Sequence, residues 1–242
     1  MVTGLWRLTL MEARLFWRTP QAVFWTFFFP AFLLVLLGSV FARQPGQMAF
    51  LIPGILGMVL ASTAYYSIGV VVTYYRSTGF LKRLALIPVP VWQFVLAQMV
   101  VRGAVVIVVG AELLVIGAVL FHLRPSAQPL TLAVVMGVGT AAFLATGFAV
   151  GVLARSVESA NSIAAFLFFP MTFLSGAYFP VEMLPDALQP ISGALPLTYF
   201  LRGLRTAAGG GGPASVATEL VVLALWGAVG AVVSVRRFRW TI

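Results

Sequence analysis

Residues able to carry acid–base, nucleophilic or metal chemistry are scarce in this chain of 242 residues. It has no cysteine, one histidine (His122) and six scattered carboxylates: Glu12, Glu112, Glu158, Glu182, Asp186 and Glu219. Disulfides, thiolate metal sites and redox cycling are therefore excluded. A lone imidazole among dispersed acids also argues against a metal enzyme, so no catalytic and no metal-ligating residue is expected. Glu112 stands out because it sits deep in a long apolar run. If that run crosses a bilayer, a bare carboxylate there costs at least about 2.5 kcal/mol. It must be protonated, partnered from another span or turned toward water. The other distinctive stretch is Tyr74 to Gln93, YYRSTGFLKRLALIPVPVWQ, a basic, proline-terminated amphipathic segment between two apolar runs.

Composition fixes the elements that must position these residues. The chain is 61% hydrophobic and 9% charged, with a mean hydropathy of +1.05, whereas about a quarter of residues in soluble domains are charged. The sequence predicts an all-α integral membrane protein in a single domain, 1–242. Runs of about 20 apolar residues, enough to span, occur near 22–42, 50–74, 103–121, 130–154, 159–179 and 216–235. The formal charge of +9 does not point to nucleic acid, because the basic residues lie in short inter-span segments, as membrane orientation requires. Arg7, Arg14, Arg18, Arg76, Lys82, Arg83, Arg155, Arg236, Arg237 and Arg239 fall on one side; Arg43, Arg124, Arg202 and Arg205 fall on the other. Both termini are then expected in the cytoplasm.

Four features elaborate this plan. In residues 1–20, Arg7, Arg14 and Arg18 share one helical stripe while Trp6, Leu10 and Trp17 share another, which predicts a helix lying in the inner interface until Pro20 breaks it. This leader carries Glu12 and precedes an apolar run too long for a signal peptide. The third run extends from Trp92 to Phe121, too long for a core of about 30 Å. Its inner end is expected to project, with Arg102 snorkelling at the interface. Gly103, Gly110 and Gly117 recur at sevens, and Gly147-x-x-x-Gly151 offers a second close-approach face. Between the fifth and sixth runs, prolines through 176–213 forbid a continuous helix and predict short outer helices re-entering the membrane under cover of protein.

Two polar faces are candidates for a substrate path. Ser62, Tyr66, Gly69 and Thr73 share one side of the second span, and Asn161, Ala165, Phe168, Thr172 and Ser175 one side of the fifth; Glu112 is the third contributor. Ordinary interhelical hydrogen bonding is the competing explanation for both faces. In the loop 76–90, Gly79 begins a short amphipathic helix whose apolar stripe is Phe80, Leu81, Leu84 and Ile87, with Lys82 and Arg83 polar and Pro88 and Pro90 ending it. Such a helix docks into a groove on another protein or rests on lipid headgroups.

Thr78-Gly79-Phe80-Leu81-Lys82-Arg83-Leu84, followed by Ile87-Pro88-Val89, resembles the cytoplasmic coupling segment of ATP-binding-cassette (ABC) type 2 permeases: an acid, Thr-Gly-Thr-Leu-Lys-Arg-Leu, then Thr-Pro. Leu174-Ser175-Gly176-Ala177-Tyr178-Phe179-Pro180-Val181-Glu182-Met183-Leu184-Pro185, continuing to Leu195-Pro196-Leu197-Thr198-Tyr199 and Arg202, resembles the outer segment of the same family. Tyr75 and Ser77 stand where the family has acids, and Phe80 where it has threonine. The resemblance, which covers essentially the whole chain, favours the protein-docking reading of the loop and implies a multidrug-exporter-like membrane subunit. Such a subunit pairs as a homo- or heterodimer in the plasma membrane of a prokaryote and is driven by two separate ATPase subunits. Gly79, Phe80, Leu81, Lys82, Arg83, Leu84 and Pro88 would couple to those ATPases. Without a Gly-x-x-x-x-Gly-Lys-Ser/Thr loop, the chain itself binds no cofactor; ATP and magnesium belong to the partner. The implied cargo is an amphipathic drug or lipid-like molecule, with polysaccharide or glycolipid as a variant. An ATP-independent carrier using Glu112, or a membrane scaffold, are readings from other classes.

Overall fold

The computed structural model describes residues 2–41, 47–79, 91–123 and 128–237. All regular structure in them is helical: α1 (Val2–Trp17), α2 (Pro20–Phe41), α3 (Gln47–Ser77), α4 (Val91–Phe121), α5 (Pro129–Leu153) and α6 (Val157–Leu174) come first. A 3-10 turn at Val181–Met183 then leads to α7 (Gln189–Ser192) and α8 (Pro196–Ala208), and a second at Pro213–Val216 to α9 (Ala217–Arg237). Helices α2 to α6 and the segment Pro213–Arg237 are long and apolar enough to cross a bilayer, six in all among the described residues. Pro20 begins α2 at its first turn, where a proline's missing N–H costs nothing.

Helix α3 is the axle of the bundle. It is the most buried of the six spans and packs against α2, α4, α5, α6 and α8, while α5 lies against α9 along much of its length. Backbone-to-backbone approach between α3 and α5 depends on two glycines: a Cβ on Gly147 would land on the carbonyl of Ala64, and one on Gly151 would sit 2.7 Å from the carbonyl oxygen of Gly69. The Gly147-x-x-x-Gly151 face is therefore the α3–α5 seam. By contrast, a Cβ on Gly103 would meet Thr140 Cγ2 at an ordinary 3.6 Å. Helices α4 and α5 touch sparingly, and an apolar cleft of about 730 Å³ lies between them and α3, lined among others by Met48, Leu56, Met99, Gly110, Met136 and Thr140.

Two stretches of α2 and α3, Phe24–Phe28 and Thr63–Val70, are π-helical. The wider turn rotates everything that follows relative to an α-helix, and such stretches often accompany functional sites. At the end of α4, His122 takes a left-handed conformation (φ 53°), and the Leu123 N–H reaches back to the Gly117 carbonyl at 3.0 Å. The lone histidine thus serves the chain reversal.

The connection between α6 and α9 satisfies its broken backbone with side chains. Thr198 Oγ1 donates to the Ser192 carbonyl (2.7 Å) and Tyr199 Oη to that of Gly193 (2.7 Å). Arg205 Nη2 donates to the carbonyls of Gly176 (2.6 Å) and Phe50 (3.3 Å) while its guanidinium lies 3.7 Å from the Phe50 ring centre. Burial lowers the Arg205 pKa to about 10, with Glu182 opposing the shift. Leu197, Phe200, Leu201, Leu204 and Ala207 bury the inner face of α8 against α3, α5 and α9.

Gly147→Ala is expected to cost about 1–3 kcal/mol, the usual penalty for forcing extra volume into a packed contact, and Gly103→Ala far less. Thermal unfolding of the purified variants in one detergent compares them directly.

Candidate functional site

The arginine-rich end of the bundle gathers α1, the last turn of α3, the first turns of α4 and the α5–α6 junction. Helix α1 lies along α4 and buries Leu8 and Glu12. Glu12 accepts a charge-assisted hydrogen bond from Arg102 Nη1 at 3.4 Å; the two side chains are 1% and 7% exposed. Arg102 Nε donates to Ser67 Oγ at 3.2 Å, and Tyr75 Oη donates to the second Glu12 oxygen at 3.3 Å. One carboxylate thus joins α1, α3 and α4. Burial pushes the Glu12 carboxyl above its ordinary value, opposed by Arg102, Tyr75 and the neighbouring Gln98. The sequence suggests Arg102 as a snorkelling residue; it is instead buried and paired, because α1 covers the N-terminal part of α4 and supplies the counterion. The available signal was Glu12 itself, which interrupts the apolar stripe Leu5, Leu8, Phe16 of α1.

A second knot lies beside it. Arg76 Nη1 donates to the carbonyls of Gly151 (2.9 Å), Val152 (2.8 Å) and Ala154 (3.2 Å). These are unsatisfied acceptors at the C-terminus of α5, where a cation also meets the negative end of the helix dipole. Thr73 Oγ1 donates to Gly69 O at 3.0 Å and to Gly151 O at 3.1 Å. The next helix is capped by Ser156 and Ser159, whose side chains and backbone N–H groups bond reciprocally. Immediately after Arg76 the chain leaves α3 through Gly79, whose φ of +69° favours glycine. Phe80, Leu81, Lys82, Arg83, Leu84 and Pro88 lie outside the described residues.

The other sequence-derived positions fall on separate surfaces. Ser62 and Tyr66 are half-buried on the side of α3 that meets α6, where Tyr66 packs edge-on against Phe168 at 5.8 Å between ring centres. Asn161 is exposed on α6, its amide bonded to the Val157 carbonyl at 3.1 Å. Thr172 is buried, its hydroxyl donating to Phe168 O and Phe169 O within α6. Thr73 faces α5 rather than the Ser62–Tyr66 side, because the π-helical turn between them breaks the 3.6-residue spacing that joined these residues on one stripe. Glu112 is half-buried on α4, with Oε2 buried and without a hydrogen-bond partner among the described residues. Helix α4 packs on α1, α2 and α3 and sparingly on α5, which leaves Glu112 apart from the α3–α6 surface.

Removing Glu12 alone strands a buried guanidinium. Glu12→Ala is expected to destabilise the protein by about 3–5 kcal/mol, and the double variant Glu12→Leu/Arg102→Met to recover most of it; detergent unfolding scans separate the two. Because the native carboxyl holds its proton to higher pH than an unfolded one, this group's stabilising contribution is complete below its ordinary value of 4.5 and fades as pH rises through its raised native value. Glu12→Gln should flatten that part of the stability–pH curve.

Comparison with known proteins places this architecture. The transport permease YvfS of Bacillus subtilis is 25% identical over 210 residues, 85% of each chain. The inner membrane transport permease YadH of Escherichia coli is 25% identical over 173 residues, 70% of this chain and 67% of its own. Nodulation protein J of Rhizobium leguminosarum bv. viciae is 36% identical over 98 residues, 40% of this chain and 38% of its own. Residues 3–208, from the first turn of α1 to the end of α8, match the ABC-2 type transporter family, so the chain is a multi-pass membrane permease belonging to that family.

Proposed function

We propose that this permease is one half of an ATP-driven exporter whose power stroke enters through residues 80–90. The observation that carries this reading is the construction of the frame from which that segment departs. Tyr75 is tied to α1 and α4 through Glu12, and Arg76 to the end of α5 through three carbonyls. A load applied beyond Gly79 is therefore delivered at once to four helices rather than absorbed in a loose loop. Two separate ATPase subunits, holding ATP and magnesium, would seat Phe80, Leu81, Lys82, Arg83, Leu84 and Pro88. With the Gly79 end of α3, α1 and the Arg236–Arg237 end of α9 on the same side, both termini are cytoplasmic, in the plasma membrane of a prokaryote.

The cargo path is assigned to the open α3–α6 side. Ser62 and Tyr66 offer sparse hydroxyls there and Asn161 an amide, beside the half-buried ring of Phe168, while Phe166, Phe169 and Phe173 lie exposed further round α6. A second permease, identical or not, completes the wall, and α2 and α6 present largely unburied faces to receive it. Apolar surface with few polar groups suits an amphipathic drug or lipid-like molecule; polysaccharide and glycolipid are alternatives within the same family. Thr73 and Thr172, both buried between helices, support the wall rather than contact cargo. The outer helices α7 and α8 would close the path within the outer leaflet.

A second reading, a carrier driven by protons at Glu112, draws on its buried Oε2, which has no hydrogen-bond partner among the described residues. The two readings separate in membrane vesicles. Leu84→Asp is expected to abolish ATP-dependent transport and co-purification of the ATPase while membrane insertion is retained; undiminished co-purification would refute the docking role of the segment. Glu112→Gln is expected to leave ATP-driven export standing. Loss of all transport with ATPase binding intact would support the carrier.

A further inference from the structure

Helix α1 has a surface that neither the buried ion pair nor the transport reading uses. Arg7, Arg14 and Arg18 lie within about 40° of one another around the helix axis and extend over about 16 Å of its length. They are exposed on the side turned away from buried Glu12. Among the described residues, none of the three forms an ion pair. With Leu10, Met11 and Leu15 of the same helix they form a shallow, open groove between side chains on its outward surface, so three guanidinium groups border apolar side chains.

The neighbouring edge of the helix fixes what this groove meets. Trp6 and Trp17 are 62% and 61% exposed, and Trp17 stacks on Phe27 of α2 at 5.7 Å with an interplanar angle of 12°. The tryptophan edge is therefore held at the start of the first span, the depth at which amphipathic rings settle between hydrocarbon and water. The arginine stripe lies next to this edge, about a quarter-turn further round the helix, so a bilayer that meets the tryptophan edge brings its phosphodiester groups to the guanidiniums. Guanidinium forks bind phosphate oxygens in pairs, and basic residues beside a bilayer attract anionic lipid at about 1 kcal/mol each.

We propose that the outward groove of α1 is a binding site for anionic membrane lipid, with Arg7, Arg14 and Arg18 holding phosphodiester headgroups and Leu10, Met11 and Leu15 covering the first carbons below them. The site is independent of the export reading, because it needs only the seat of α1 on α4 and the position of Trp17 against α2. Since Glu12 joins α1 to α3 and α4, a headgroup held here also steadies the frame that carries Gly79.

The test uses the full chain reconstituted in phosphatidylcholine vesicles containing a trace of spin-labelled phosphatidylglycerol or spin-labelled phosphatidylcholine. The motionally restricted fraction of each probe gives their relative affinity. The native chain should favour phosphatidylglycerol, and Arg7→Gln/Arg14→Gln/Arg18→Gln should remove most of that preference, whereas Arg155→Gln at the α5–α6 junction should preserve it. Should the triple variant fail to insert, Arg14→Gln alone is expected to weaken the preference about five-fold. Excess inorganic phosphate should not displace the labelled lipid; displacement would make this a site for free phosphate and overturn the proposal. Equal preference in native and triple-variant protein would also overturn it. So would a variant that loses ATPase co-purification with its lipid preference unchanged, which would give the stripe to a protein partner.

Discussion

A bilayer core supplies no water, so every charge and every broken backbone group near it must find a partner inside the protein. The Glu12–Arg102 pair meets that requirement where α1 packs against α4 and meets Tyr75 of α3. Burying either charge alone would be costly; buried together, with Tyr75 and Ser67 completing the bonds, they fix one register of α1 on α4 and one position of α3 relative to both. A well-packed apolar substitute could stabilise the same contact. An apolar contact is less directional, however, and would allow α1 to slide where the ion pair holds it to one site.

The same rule organises the neighbouring knot. Three carbonyls at the end of α5 need donors, and one guanidinium from α3 supplies them. This is possible because Gly147 and Gly151 let the two helix backbones approach closely enough for Arg76 and Thr73 to reach across. The Arg76 knot before Gly79 thus depends on a glycine seam that runs from Gly147 to the last turn of α5. Just before Gly79, Tyr75 hydrogen-bonds a carboxylate from α1, a distant part of the chain.

Helices of sufficient length, their number and the interruption at Pro20 were legible because span length and apolar content are one-dimensional properties. The glycine seam of α5 was also legible, since small residues four apart leave a visible groove. Position on α3 was not. Ser62, Tyr66, Gly69 and Thr73 share a face if the helix is α throughout, but Thr63–Val70 is π-helical, and no residue type in that stretch announces the change. Glu112 was flagged by its setting, yet its separation from the α3–α6 surface follows from which helices α4 packs against.

By itself the sequence determined the solvent this protein lives in, six candidate crossings, the charge bias between its two ends and a likeness to a permease family, because each depends on residue type and spacing along the chain. Tertiary structure decided which charges meet. Glu12 and Arg102 are 90 residues apart, Arg76 and its carbonyls 75 to 78, and a partner so remote leaves no periodic mark. The need for a partner is local chemistry, but which group answers it depends on how the helices pack.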